Sequence, residues 1–158
     1  MGKIQRSFKT INRLFIKYLM NKINSLSIEI GSEAEVGHLV SQDDLASNLG
    51  DIDDRYPKVF ATSKMIALME IAASRVFNQY LDVHECTVGI DINVNHVSPT
   101  PIGAKVKARA ILIDIVDNIF IFNVKAYDES GLIGEGTHKR SIVDIERLEK
   151  GALRKISP

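Results

Sequence analysis

The sequence predicts an α+β domain: a five-stranded antiparallel sheet wrapped around one central helix. Three observations carry that prediction. Residues 61–81 hold apolar side chains at helical spacing, with no Gly or Pro among them. From Val88 the apolar period changes to two. Turn chemistry at residues 98–103, 117–118 and 129–131 then cuts the rest of the chain into separate strands.

The elements follow in order. Residues 28–40 alternate weakly and read as a first strand. Residues 41–58 are polar, with Asp43, Asp44, Asp51, Asp53 and Asp54 before Tyr56-Pro57, and read as a loop that has room for one short helix. The helix at 61–81 carries Met65, Leu68, Met69, Ala72, Val76, Phe77 and Tyr80 at its apolar positions. In the second strand Val88, Ile90, Ile92, Val94 and His96 alternate with Gly89, Asp91, Asn93 and Asn95. Pro99 and Pro101 fix φ in the next turn, and Gly103 lets the chain reverse. Three more strands are expected at 105–116, 119–127 and 133–145, and the charged segment from Glu146 reads as a short helix or tail. A helix this apolar needs cover, and a curved sheet supplies it. That arrangement is the hot-dog architecture. The long third and fourth strands leave an edge to be managed, and pairing edges with a second copy predicts a homodimer.

The chain divides into an extension at 1–26, a folded domain at 27–150 and a tail at 151–158. The net charge of zero conceals this division. Residues 1–28 contain Lys3, Arg6, Lys9, Arg13, Lys17 and Lys22 and no acidic residue, which leaves 14 basic against 20 acidic residues in the body. An acidic body excludes nucleic acid as an expected partner, because neutralising phosphates needs clustered cations. In the extension, Ile4, Phe8, Ile11, Phe15 and Tyr18 recur at helical spacing opposite the cations. Three readings stay open. The extension is a targeting presequence, a segment giving weak membrane-surface contact through residues 1–22, or a segment with no separate role. The expected compartment is therefore cytoplasmic, or organellar if residues 1–26 are a presequence. Charges interrupt the apolar run too often for it to span a bilayer. The single cysteine, Cys86, excludes an intramolecular disulfide.

Few residues have a pattern suited to chemistry. Glu70 is the only charged residue between Met65 and Ala73, with Ile66, Ala67, Ala73 and Ser74 as its helical neighbours. A carboxylate desolvated there has its pKa raised and suits general-base or nucleophilic work. The alternative places Glu70 on a solvated stripe with Lys64, Ser74 and Asn78. His96 ends a strand just before a Pro-bounded turn, where catalytic groups gather, although a histidine satisfied by hydrogen bonds fits the same position. His38, His84 and His138 have similar or weaker claims. No histidine pair has zinc-ligand spacing, so no metal is expected. Thr62 and Ser63 fit helix N-caps, or a hydroxyl aimed into a pocket at the helix start. There is no Gly-x-Ser-x-Gly elbow and no phosphate-cradling Gly-rich loop.

Four segments, in order, give these residues a common context. They are Phe-Ala-Thr-Ser-Lys-Met-Ile-Ala-Leu-Met-Glu at 60–70, Thr-Val-Gly-Ile-Asp-Ile-Asn-Val-Asn-His at 87–96, Pro-Thr-Pro-Ile-Gly at 99–103, and Ile-Gly-Glu-Gly-Thr-His-Lys-Arg at 133–140. Over about residues 28–150 the chain resembles the hot-dog thioesterases similar to fluoroacetyl-CoA thioesterase. The resemblance implies hydrolysis of a short or medium acyl-CoA to free acid and CoA. It implies no cofactor, since coenzyme A enters as part of the substrate. Thr62, Glu70 and His96 correspond to the family's catalytic residues. Gly89 corresponds to a glycine lining the acyl pocket and Arg140 to an arginine near the active site. Members that prefer the fluorinated substrate carry an aromatic lid before the helix. Here that segment is Asp-rich with Tyr56 as its one aromatic, so Tyr56 is the candidate substrate contact and a different or broader acyl group is expected.

Geometry constrains the site. Eight helical residues rise about 12 Å, so Thr62 and Glu70 cannot meet within one straight helix. Thr62 is therefore expected in a loop folded back before the helix. The other solution is a site shared by two subunits. Two other functions fit the pattern: a non-catalytic acyl-CoA-binding module, and a hot-dog enoyl-CoA hydratase. Asp91, Asn93 and His96 keep the spacing of the hydratase motif without its proline.

Overall fold

A computed structural model describes residues 28–51 and 53–156. The extension at 1–26, with its presequence and membrane-surface readings, lies outside the described residues. Strands β1 (Glu33–Leu39), β2 (Glu85–His96), β3 (Lys105–Val116), β4 (Ile119–Asp128) and β5 (Gly131–Asp144) form one sheet in the order β1-β3-β4-β5-β2. Every neighbouring pair is antiparallel. Helix α1 (Thr62–Arg75) packs on the concave face, and helix α2 (Ile145–Leu153) follows β5 directly. No helix of the described residues is long and apolar enough to cross a membrane.

The sheet curls because its concave side chains must meet one helix. Ala108, Ala110 and Leu112 of β3 and Phe120, Phe122 and Val124 of β4 are fully buried, and so are Met65, Met69, Ala72 and Ala73 of α1. Alanines on both partners let the helix axis approach the sheet closely. On β5 a Cβ at Gly136 would stand 2.0 Å from the Asn93 carbonyl oxygen, so only glycine lets β5 lie this close to β2. The convex face is polar and pairs charges across strands, Lys107 with Glu35 and Lys125 with Glu135.

The helix is shorter than its apolar spacing predicts. It ends at Arg75 rather than near Leu81. Beyond it Phe77, Asn78 and Tyr80 donate to the carbonyls of Ser74, Arg75 and Phe77, three residues back in each case. That tighter winding turns Phe77 into the core, with ring centroids 4.8 Å from Phe120 and 5.8 Å from Phe122, both edge-on. The first strand also starts later than expected, because Gly31 takes a left-handed φ of 95° and breaks the run. The 41–58 segment contains two short 3-10 turns, Gln42–Asp44 and Ala46–Asn48.

Two corrections bear on function. The third and fourth strands are interior, and among the described residues the edge strands are β1 and β2. The turn at 98–103 does reverse the chain, but it carries it from the β2 edge to β3 on the far side of the sheet. Thr62 is not in a loop: it is the first residue of α1, after an extended Ala61 with φ −71° and ψ 139°. Pro57 and the acidic run do not delay the helix start, because Asp44 anchors it. The Asp44 carbonyl accepts from the Ala61 N–H at 2.9 Å, and its carboxylate lies 3.7 Å from Lys64 Nζ.

Candidate active site

The six residues singled out by sequence fall into two groups. Tyr56, Thr62 and His96 line one cleft of about 510 Å³, together with Pro57, Phe60 and Pro99. Glu70, Gly89 and Arg140 meet elsewhere, between the middle of α1 and the adjoining strands β2 and β5.

In the first group Thr62 Oγ1 lies 2.8 Å from His96 Nδ1. A threonine at a helix start ordinarily caps the backbone. Here the N-cap is Ala61, no side chain caps the helix, and the Thr62 hydroxyl bonds the histidine. His96 Nε2 is buried and has no hydrogen-bond partner among the described residues. A buried polar nitrogen left unpaired costs about 1–3 kcal/mol, so this atom calls for a partner beyond the described residues. Tyr56 is half exposed at the cleft rim.

In the second group a bulge between Gly89 and Asp91 leaves Gly89 paired with Arg140 on β5. A Cβ on Gly89 would stand 2.5 Å from Glu70 Oε1 and 2.9 Å from His138 Cε1. Glycine is what lets the strand pass under the carboxylate. The Glu70 side chain is 43% exposed, so this chain alone does not give it the desolvation expected from the sequence. Its carboxylate accepts no hydrogen bond among the described residues. Arg140 is buried. Its Nε donates to Thr87 Oγ1 at 2.9 Å, its Nη2 to the Thr87 carbonyl at 2.6 Å and its Nη1 to His138 Nε2 at 3.0 Å. Burial lowers the Arg140 pKa, and the nearby Glu70 charge opposes that.

His138 is the member of this group that sequence pattern ranked low. It lies two residues before Arg140 on β5, so both side chains enter the concave face, and that spacing was the available signal. Burial pushes its pKa down. The other histidines lie apart: His38 bonds Asp44 at 2.7 Å, and His84 is exposed. Among the described residues no three His, Cys, Asp or Glu side chains form a metal-ligand set.

Over residues 40–146 the sequence matches the family FlK, fluoroacetyl-CoA-specific thioesterase. The chain belongs to that family. It is 37% identical over 93 residues to the fluoroacetyl-CoA thioesterase of Streptantibioticus cattleyicolor, a match covering 59% of this chain and 67% of the relative. The solved structure of the fluoroacetyl-CoA thioesterase FlK superposes with a TM-score of 0.76 at 29% identity, covering 84% of this chain and 99% of that one. A Thermus thermophilus thioesterase superfamily member superposes at 0.73 with 25% identity, covering 80% and 92%. A hot-dog-like protein of Thermanaerovibrio acidaminovorans, 21% identical with a TM-score of 0.73 and covering 85% and 97%, shares the fold. The hot-dog architecture expected from the strand and helix order is therefore the architecture of the chain.

Proposed function

We infer that this chain hydrolyses the thioester of a short acyl-CoA at a site shared between two copies. Family membership supports the reaction: water adds to the carbonyl, the carbon–sulfur bond breaks, and a carboxylic acid and CoA thiol leave. The observation that supports the shared site is a pair of complementary orphans. Among the described residues His96 Nε2 has no partner, and the partly exposed Glu70 carboxylate accepts no hydrogen bond. Within one chain the two groups are kept apart by the rise of α1 between Thr62 and Glu70, about 12 Å.

Symmetry brings them together. Strand β2 is an edge strand of 12 residues, with Gly89 as its fifth residue and His96 as its last. If two copies of β2 pair antiparallel about a two-fold at Asn93, with the bulge between Gly89 and Asp91 taking up one residue, Gly89 comes opposite His96 of the partner subunit. On α1 the residue midway between Thr62 and Glu70 is Ile66, so a two-fold near Ile66 sets Thr62 of one copy level with Glu70 of the other. Closure would also cover the exposed side of Glu70. In the assembled site Glu70 is the acting carboxylate. His96, oriented by Thr62, transfers the proton to the departing sulfur. The cleft beside Tyr56 receives the acyl-CoA. Without an aromatic lid, the acyl group is a short one not restricted to the fluorinated acid.

Mixed dimers test the shared site. Glu70→Gln and His96→Ala chains are each inactive alone. Unfolded together and refolded, they regain about one quarter of wild-type thiol release, because half the dimers are mixed and each holds one intact site. No recovery in demonstrably mixed dimers would place the whole site in one chain. Wild-type protein that binds a panel of short acyl-CoAs but releases no thiol would overturn the hydrolase reading itself.

A further inference from the structure

The second cluster contains a buried cation that does not pair with the carboxylate beside it. Arg140 has no carboxylate at ion-pair distance among the described residues, although its Nη1 comes within 3.5 Å of the Glu70 backbone carbonyl. An arginine this close to a glutamate ordinarily clamps it with two parallel N–H···O bonds. Here His138 stands in the way. Its Nδ1 lies 2.8 Å from the Asp91 carbonyl oxygen, which can only accept, so Nδ1 carries the proton. Nε2 is then bare and accepts from Arg140 Nη1 at 3.0 Å. The two bonds fix one neutral tautomer. Glu70 Oε1 lies 3.8 Å from that same Nε2, too far for a hydrogen bond and facing a nitrogen with no proton to give.

We propose that His138 is a positioning residue that takes the Arg140 donor and thereby keeps the Glu70 carboxylate unclamped. The side chain acts through its acceptor, not through its charge. The titratable and charged groups facing this corner are Arg140 and His138 from β5 and Asp91 and Cys86 from β2. With Arg140 held by Thr87 and His138, Glu70 keeps its lone pairs for water or substrate. The consequence for turnover rests on the reading of Glu70 as the acting carboxylate. The geometry of the insulation does not.

Three variants and two readouts test it. His138→Leu fills the space without an acceptor. His138→Asn keeps a donor toward Asp91 but does not reach Arg140. His138→Gln places an amide oxygen where Nε2 was. The readouts are the pH profile of kcat, and the protonation of Glu70 followed by carbon NMR on carboxyl-labelled protein. In His138→Leu and His138→Asn, Arg140 swings onto Glu70. The Glu70 titration moves to lower pH, the acid limb of kcat moves with it, and kcat falls about tenfold at unchanged KM. His138→Gln restores both readouts toward wild type. Equal impairment of all three variants, or a Glu70 titration that none of them moves, overturns the proposal. If His138→Leu fails to fold, the contrast between Asn and Gln carries the test. A fully active Glu70→Gln enzyme would remove the role of Glu70 in the reaction, while the NMR titration would still report whether His138 holds Arg140 away.

Discussion

Thr62 Oγ1 and His96 Nδ1 lie 2.8 Å apart, joining the first turn of α1 to the last residue of the edge strand β2. The contact fixes the orientation of the imidazole, whose buried Nε2 is the atom proposed to serve the reaction. Thr62 is exposed and does not cap its helix, so removing the hydroxyl should leave the fold intact. Thr62→Ala is expected to lower kcat by about 10–100-fold while changing stability by less than about 1 kcal/mol. Thr62→Ser keeps the hydroxyl and should stay within a few-fold of wild type. Steady-state thiol release and thermal melts check both. If the alanine variant kept full activity, Thr62 would have no part in the site.

Gly89 makes a sharper test of where Glu70 must sit. A methyl group there would meet Glu70 Oε1 at 2.5 Å and His138 Cε1 at 2.9 Å. The glutamate end is flexible and gives way, but the His138 ring is buried and held at both nitrogens, so Gly89→Ala should also cost about 1–3 kcal/mol of stability. Activity should fall at least about tenfold, because the displaced atom is the one proposed to react. Full activity together with a shifted Glu70 in a structure of the variant would detach the carboxylate from the chemistry.

The burial of His138 makes stability depend on pH. Its pKa in the folded chain is lowered, first by burial, so between that value and the ordinary histidine value the unfolded chain binds more protons. Stability is therefore complete above about pH 6.5 and declines as pH falls below it. His138→Gln removes this titration. Chemical denaturation at several pH values should show wild type losing stability relative to His138→Gln as pH drops toward 5. A constant difference across that range would mean that His138 is not held neutral.

Much of this arrangement was legible in the sequence, for identifiable reasons. The bounds of β3 were read correctly because alternation and turn chemistry agree at both of its ends. Glu70 stood out because its neighbours are apolar, and the rise of the helix already separated it from Thr62. The helix end was missed because Val76, Phe77 and Tyr80 continue the apolar spacing, while the backbone tightens to bury Phe77. Thr62 was expected in a loop because the polar run before it looks unstructured. The anchor that starts the helix is the buried Asp44, whose partners are not visible from spacing. His138 has no more than a similar or weaker claim from its sequence pattern, because no turn or loop edge adjoins it. Its meaning depends on which element covers that face of β5.

Asp44 gives the last prediction, and it concerns the anchor of the site. Burial alone would raise its pKa, but the Ser41 N–H at 2.8 Å, His38 at 2.7 Å and the Ser41 hydroxyl at 2.7 Å outweigh that and lower it to about 2. A carboxylate depressed from 3.8 to about 2 contributes about 2 kcal/mol of stability at neutral pH. That contribution is present above the unfolded value and is lost as pH falls through about 2. Asp44→Asn should therefore cost about 2 kcal/mol at pH 7, or about 4–8 °C in Tm, and the gap to wild type should narrow as pH falls below 4. Because the Asp44 carbonyl and carboxylate hold Ala61 and Lys64, the first turn of α1 loosens with it, and Thr62 moves relative to His96. The variant should then lose kcat more than it gains KM at temperatures well below its melt. A stability loss with unchanged kcat would limit Asp44 to holding the fold and remove it from the placement of Thr62.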